Sequence, residues 1–217
     1  YSSAASDVYK RQIIVLAKDV GIDLGTANIL IYVKGEGIVL NEPSIVVVDT
    51  NENKVIAMGN EAKEMIGKTP ENIKVIKPLK DGVIADFEIT ELMLNNYIKR
   101  VKAKSLLTRP RVLICCPSNI TEVEKSAIIE AAERTGARKV FIEEEPKVAA
   151  IGAGIKIKNP TGNMVIDIGG GTTDIAVLSM NNIVISSSLR IAGNTFDQDI
   201  INYISCLLYT SPSPRDS

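Results

Sequence analysis

Asp23 and Asp167 each close an apolar run and are each followed two residues on by glycine, in GIDLGTAN (Gly21 to Asn28) and again in VIDIGGGTTD (Val165 to Asp174). Glycines let backbone N–H groups approach an anion with no Cβ in the way, and successive amides in a turn form a concave phosphate nest. Gly25, Thr26, Ala27 and Asn28 supply those amides in the first copy; Gly169, Gly170, Gly171, Thr172 and Thr173 supply them in the second. Hydrated Mg²⁺ binds through one or two carboxylates plus phosphate oxygens, the chemistry that Asp23 and Asp167 would offer from opposite sides of a phosphate chain. Either copy alone reads equally well as a plain β-hairpin with a glycine turn. Two matching copies in one domain-sized chain favour a phosphate-binding pair.

Glu145 ends the acidic run Glu143 to Glu145, directly before Pro146. Negative charge at a helix N-terminus is favoured by about 0.3–1 kcal/mol, which accounts for all three residues. A carboxylate on the connection between two lobes can also orient or deprotonate water for in-line attack on a γ-phosphate. The chain has no histidine, so serine-histidine and cysteine-histidine catalysis and histidine-ligated metal are excluded. Proton handling therefore falls to carboxylates or water. Cys115 and Cys116 lie side by side in an apolar run and read as core thiols rather than as a disulfide framework or a zinc site. A net charge of −1 and the lack of a basic cluster give no electrostatic case for nucleic acid as a partner. No apolar run approaches the roughly 18 residues of a spanning helix.

The elements that must position these residues alternate between strands and helices, which argues for an α/β architecture with helices covering a mixed sheet. Strands are expected at Val20 to Leu24, Ile29 to Val33, Ser44 to Val48, Lys54 to Met58, Ile73 to Ile76, Arg111 to Cys116, Val140 to Ile142 and Ile175 to Leu178, the run at Arg111 being apolar enough for burial on both faces. Helices are expected at Glu61 to Ile66, from an N-cap at Thr90 through Leu94, Tyr97, Ile98 and Val101, and at Phe196 to Ile204. Thr121 with Glu124 forms a capping box for a helix that turns Val123, Ala127, Ile128 and Ala131 inward and stops at Gly136. Pro146 suits the first turn of a short alanine-rich helix. Residues 1–12 and 205–217 carry no period and resemble translated adapter sequence, so structure is not expected there.

The motif pair resembles the actin, sugar-kinase and heat-shock-chaperone ATPase superfamily. NEPSIVVVD (Asn41 to Asp49), IGKTPENIKVIKPLKDGVIADFEITELML (Ile66 to Leu94), PSNITEVEKSAIIEAAERTGARKVFIEEEP (Pro117 to Pro146) and RIAGNTFDQDIINYI (Arg190 to Ile204) narrow the resemblance to the bacterial actins, MreB and its close paralogues. It implies an incomplete actin-like (ribonuclease H-like) fold, with subdomain IA at 13–46 and 80–159, IB at 47–79 and part of IIA at 160–204. It carries Asp23 and Asp167 over as the carboxylates that organise Mg²⁺ through water, the two glycine loops as the ATP phosphate loops, and Glu145 as the catalytic residue. Gly193 and Asn194 fall in a turn near the nucleotide, where related sequences have Asp in place of Asn194; a helix N-cap is the simpler role for Asn194. Lys147 stands where related sequences more often have Met. Leu106 and Leu107, beside Lys102, Lys104 and Arg109, resemble a membrane-contacting loop and read equally as loop packing.

The function so implied is ATP-dependent filament formation at the inner face of the cell membrane of rod-shaped bacteria, with slow ATP hydrolysis weakening the filament. The expected partners are further copies of itself, the inner membrane surface and wall-elongation proteins, and the expected location is the cytoplasm, peripheral at the membrane. A sugar kinase or a chaperone ATPase domain is the alternative on the same fold. The adenine-contacting segments and subdomain IIB are expected beyond Ile204, so the chain by itself is expected to bind ATP weakly.

Overall fold

The computed structural model describes residues 19–52, 54–80, 82–105, 109–116 and 120–208. Residues 1–12 and 209–217 of the expected flanks lie outside the described residues, as do Leu106 and Leu107. β1 (Asp19–Leu24) and β2 (Asn28–Val33) form the first glycine hairpin, and every second residue of each is buried. They sit in a five-stranded mixed sheet of order β10-β9-β1-β2-β3, where β3 is Gly37–Pro43, β9 is Arg111–Cys116 and β10 is Lys139–Glu144. β10, β9 and β1 run parallel; β1, β2 and β3 alternate.

One face of this sheet carries Ile22, Ile31 and Ile114, all fully buried, against Met93, Leu94 and Tyr97 of α2 (Phe87–Ser105) and Ile128 and Ala132 of α3 (Glu122–Arg134). The apolar residues of α2 recur at helical spacing, so one stripe faces the core. Its N-cap is Asp86 rather than Thr90. The Ile89 N–H donates to Asp86 Oδ1 at 3.0 Å, while Thr90 is buried inside the first turn with its hydroxyl donating to the Asp86 carbonyl at 2.6 Å. Both residue types cap helices, and the earlier carboxylate takes the free amides first. The Thr121 capping box forms as expected, with Thr121 Oγ1 accepting from the Glu124 N–H and Glu124 Oε2 accepting from the Thr121 N–H. Val123 is 79% exposed, not inward, because it lies in the solvent-facing first turn of α3.

β9 is not buried on both faces. Arg111 is exposed and Leu113 is 36% exposed, in one row across the sheet with the partly open Phe141 and Tyr32. Both large helices lie on the opposite side, with Val112, Ile114 and Cys116.

A second, smaller sheet has the order β5-β4-β6, with β4 at Val46–Asp49, β5 at Lys54–Met58 and β6 at Ile73–Ile76. Helix α1 (Asn60–Glu64) packs on it through Ala62. The short strands β7 (Leu79–Lys80) and β8 (Val83–Ile84) bring the chain back to the main sheet. The second glycine hairpin, β11 (Asn163–Ile168) and β12 (Thr173–Ser179), is extended by β13 (Asn182–Leu189) into a third sheet, antiparallel throughout. Ala176 and Leu178 of this sheet bury against Ala150 of α4 (Glu145–Gly152) and Ile157. The last helix, α5 (Gly193–Leu208), has no buried residue and continues four residues past Ile204.

Replacing Asp86 with Ala should cost about 0.5–2 kcal/mol through loss of the α2 cap, read as a lower midpoint in thermal or urea unfolding. Asp86→Asn should retain most of the stability, and an unchanged midpoint for Asp86→Ala would return the cap to Thr90.

Candidate functional site

The carboxyl ends of the parallel strands meet at one edge of the main sheet, the side of an open α/β sheet where ligands bind. Asp23, Cys115 and Glu143 share one register row there, and past Glu144 the chain enters α4 without a loop. Glu145 is thereby fixed at a helix start beside the end of β9. The two glycine hairpins face one cleft of about 340 Å³ lined by Asp23, the Gly25–Asn28 loop, Glu145, Asp167 and the Gly169–Thr172 loop. The structure therefore brings together all but one of the expected phosphate-loop residues, both aspartates and Glu145.

The loops touch. A Cβ on Gly170 would lie 2.5 Å from the Ala27 Cβ, and one on Gly171 would lie 2.7 Å from Thr26 Cγ2, so these glycines are required by the close approach of the two lobes. Ser44 anchors the first loop: its N–H donates to the Ala27 carbonyl at 3.0 Å and its hydroxyl to the Gly25 carbonyl at 2.6 Å. Gly82, at φ 72°, donates its N–H to Thr26 Oγ1 at 3.2 Å and has the Thr172 methyl where a side chain would stand. Three segments distant in sequence thus meet at Thr26. Neither Ser44 nor Gly82 was among the expected site residues. The Asp-Gly pair between two short apolar runs was the available hairpin signal for Gly82.

Asp174 is a third residue that the motif reading passed over. It lies opposite Asp167 in the β11–β12 register, which puts both side chains on one face, and it is 3% exposed. Its Oδ1 and the Oε1 of Glu145 are buried with no hydrogen-bond partner. Burial, followed by the charges of Asp23, Asp174 and Asp167, pushes the Glu145 carboxyl up to about 8. Burial and the charge of Asp167 raise Asp23; burial and the charge of Asp174 raise Asp167. Lys147 does not relieve this, because its ammonium is paired with Glu143 at 2.8 Å. Burial first, then the neighbouring carboxylates, pushes Cys115 and Cys116 up to about 12, so both are inert core thiols.

Carboxylates gathered without a cationic side chain, with two oxygens lacking donors, suit a bound group that brings positive charge and hydrogen-bond donors. No set of three acidic, histidine or cysteine groups among the described residues is arranged to hold a metal directly.

Thr173 is the exception among the loop residues. It does not line the cleft, and its hydroxyl donates to the Ile191 carbonyl at 2.6 Å. Gly193 and Asn194 adjoin the second loop, their N–H groups donating to the carbonyls of Gly169 at 3.1 Å and Gly170 at 2.8 Å. Asn194 falls inside the first turn of α5 rather than capping it: the Ala192 carbonyl accepts from Thr195 and Phe196, which makes Ala192 the residue before the helix. No helix among the described residues is long and apolar enough to cross a membrane.

The model of the MreB/Mbl protein family matches residues 17–207. The cell shape-determining protein Mbl of Bacillus cereus is 65% identical over 190 residues, covering 88% of this chain and 57% of that protein. The cell shape-determining protein MreB of Escherichia coli is 55% identical over 195 residues, covering 88% of this chain and 56% of that protein. The crystal structure of MreB5 of Spiroplasma citri bound to ADP matches with a TM-score of 0.78 at 47% identity, over 87% of this chain and 56% of its own; the same protein bound to AMPPNP matches at 0.77. A chain of the MamK double helical filament, at 22% identity and a TM-score of 0.67 over 87% of this chain and 58% of its own, shares the fold. The chain thus spans a little over half the length of the relatives that it matches.

The Glu145 environment sets a pH dependence. Between its ordinary value of 4.5 and about 8 the folded protein retains a proton that the unfolded chain releases. Stability therefore falls as pH rises through that window, by up to about 1.36 kcal/mol per unit. Protein free of nucleotide and divalent cation should melt at a lower temperature at pH 8 than at pH 6, and Glu145→Gln should flatten the difference. A melting temperature that rises over this range, or a slope indifferent to Glu145→Gln, would contradict the site as described.

Proposed function

This chain belongs to the MreB/Mbl family and has a partial actin-like fold of mixed sheet flanked by helices, and from that premise we propose that it is the phosphate-binding half of an ATP-dependent cytoskeletal protein that sets bacterial cell shape. The observation that carries the reading is the cleft, in which two glycine hairpins and three carboxylates from separate lobes converge. The ADP and AMPPNP complexes of MreB5 support a nucleotide as the ligand.

In this reading the amides of Gly25 to Asn28 and of Gly170 to Thr172 hold the phosphate oxygens, with Thr26 and Thr172 adding hydroxyls, while the Gly169 N–H closes the second loop by donating to the Thr172 carbonyl at 2.9 Å. Asp23 and Asp167 would hold Mg²⁺ through water. The bound cation supplies positive charge to the phosphates and to the carboxylate cluster. Glu145, locked at the start of α4, orients the attacking water and accepts its proton, a task that requires the ionised form and hence a surrounding charge that offsets Asp23, Asp167 and Asp174. Hydrolysis is slow and times the filament.

Self-assembly is head-to-tail, a heterologous contact that repeats without closing; the MamK filament is a precedent on the same fold. The protein works in the cytoplasm, at the inner face of the membrane, through Leu106 and Leu107, and with wall-elongation proteins as partners.

In the chain completed to the length of its relatives, Glu145→Ala should slow ATP hydrolysis by about 10²–10⁴-fold while ATP affinity changes only a few-fold, because positioning water acts in the transition state. Pelleting and light scattering should show ATP-dependent polymer for wild type and variant alike. Equal loss of affinity and rate would make Glu145 structural. Soluble monomer that transfers phosphate to a sugar would replace the filament reading with a kinase.

A further inference from the structure

A groove of about 730 Å³ runs between β5 and the outer side of α2, away from the nucleotide cleft, and no step of the proposed ATP chemistry uses it. β5 is an edge of its sheet: β4 pairs with one side, and among the described residues no strand pairs with the other. An unpaired edge offers a row of backbone donors and acceptors to an incoming strand. Opposite it, α2 contributes Leu92, Asn95, Asn96 and Lys99, the spacing of a single helix face.

The lining has a definite chemistry. Ile56 and Leu92 are 45% and 50% exposed and give the groove two apolar contacts. Lys54 and Lys99, both exposed, form no ion pair among the described residues, whereas Arg100 is already held by Glu42, Nη2 to Oε1 at 2.8 Å. Glu61 is the one acidic residue of the lining. The groove therefore presents a strand edge, two apolar side chains and two uncommitted cations.

We propose that this groove docks an acidic, extended peptide segment of another protein, which adds a strand to β5, seats alternate apolar side chains on Ile56 and Leu92, and pairs its carboxylates with Lys54 and Lys99. A second copy of this chain is disfavoured as the occupant. Pairing β5 with its own symmetry mate would bring two basic rims into one interface, and like charges brought together across an interface are repelled.

The test uses the intact protein that carries this chain and three fluorescein-labelled peptides: Asp-Glu-Val-Ile-Val-Thr-Glu-Asp, the same sequence with lysine at every acidic position, and the acidic sequence with a central proline. By fluorescence anisotropy the acidic peptide should bind with micromolar affinity, at least about tenfold more tightly than the other two. Among Val55 to Met58, amide exchange of the groups that face away from β4 should slow on binding. The double variant Lys54→Glu, Lys99→Glu changes two exposed side chains, so its thermal midpoint should match wild type while its affinity falls at least about tenfold. Equal binding of the lysine peptide, affinity indifferent to the double variant, or outward-facing β5 amides already protected in the free protein with no peptide bound would each overturn the proposal. Dimerisation that the double variant strengthens would assign the groove to a second copy instead.

Discussion

The arrangement turns on one unfavourable interaction, the crowding of Asp23, Glu145, Asp167 and Asp174 about a single cleft. Carboxylates removed from water without a partner cost free energy, and near one another they cost more. The fold sustains this crowding because each residue is fixed by an element with its own reasons to form. Asp23 is held by the register of β1 against β9, Asp167 and Asp174 by the β11–β12 hairpin, and Glu145 by the direct passage from β10 into α4. None of the four can move away without breaking a strand pairing or a helix start. The site is therefore set up in advance to receive positive charge, and the orphaned oxygens of Glu145 and Asp174 mark where donors are wanted.

The glycines act at the same place for a different reason. Gly170 and Gly171 lie against Ala27 and Thr26 so closely that a side chain on either would hold the lobes apart. Ser44 and Gly82 tie the first loop to the segments on either side of the small sheet, through the Gly25 and Ala27 carbonyls and the Thr26 hydroxyl. Opening of the cleft is consequently linked to β4 and to the β7–β8 turn, since both are joined to a loop that touches the other lobe. A ligand between the loops would bias all three segments together.

The sequence made the site more legible than the fold around it. The duplicated Asp–apolar–Gly pattern located both hairpins, and apolar spacing located the buried stripe of α2. What it missed has physical causes. β3 contains Asn41 and Glu42 and ends on Pro43, and β13 contains the run Ser186 to Ser188, so neither edge strand shows the alternation that marks a half-buried one. Asp86 and Thr90 are both capping residue types, and only the geometry of the first turn decides between them. Asp174 became visible as a site residue once the hairpin register set it opposite Asp167, because the motif ended on it without saying which way it faced.

The two halves of the cleft rest on unequal foundations. The first hairpin is embedded in a continuous core that runs from Val20 through Tyr97 to Ile128. The second is held by Ala150, Ile157, Ala176 and Leu178, while Met164, Ile166 and Ile168 on the other face of β11 are more than half exposed and α5 buries nothing. Apolar burial is the main source of folding stability, so within these residues, which span a little over half the length of the relatives, the second lobe is the one held by less packing. Its contacts with the first lobe are correspondingly important: the Gly170 and Gly171 approach, the Gly82 turn and the α4 helix that both lobes share. A phosphate group held by both loops would add bonds at the point where packing is thinnest. A ligand held by both loops would therefore favour the aligned state of the two lobes over any other arrangement, by as much as it binds that state more tightly.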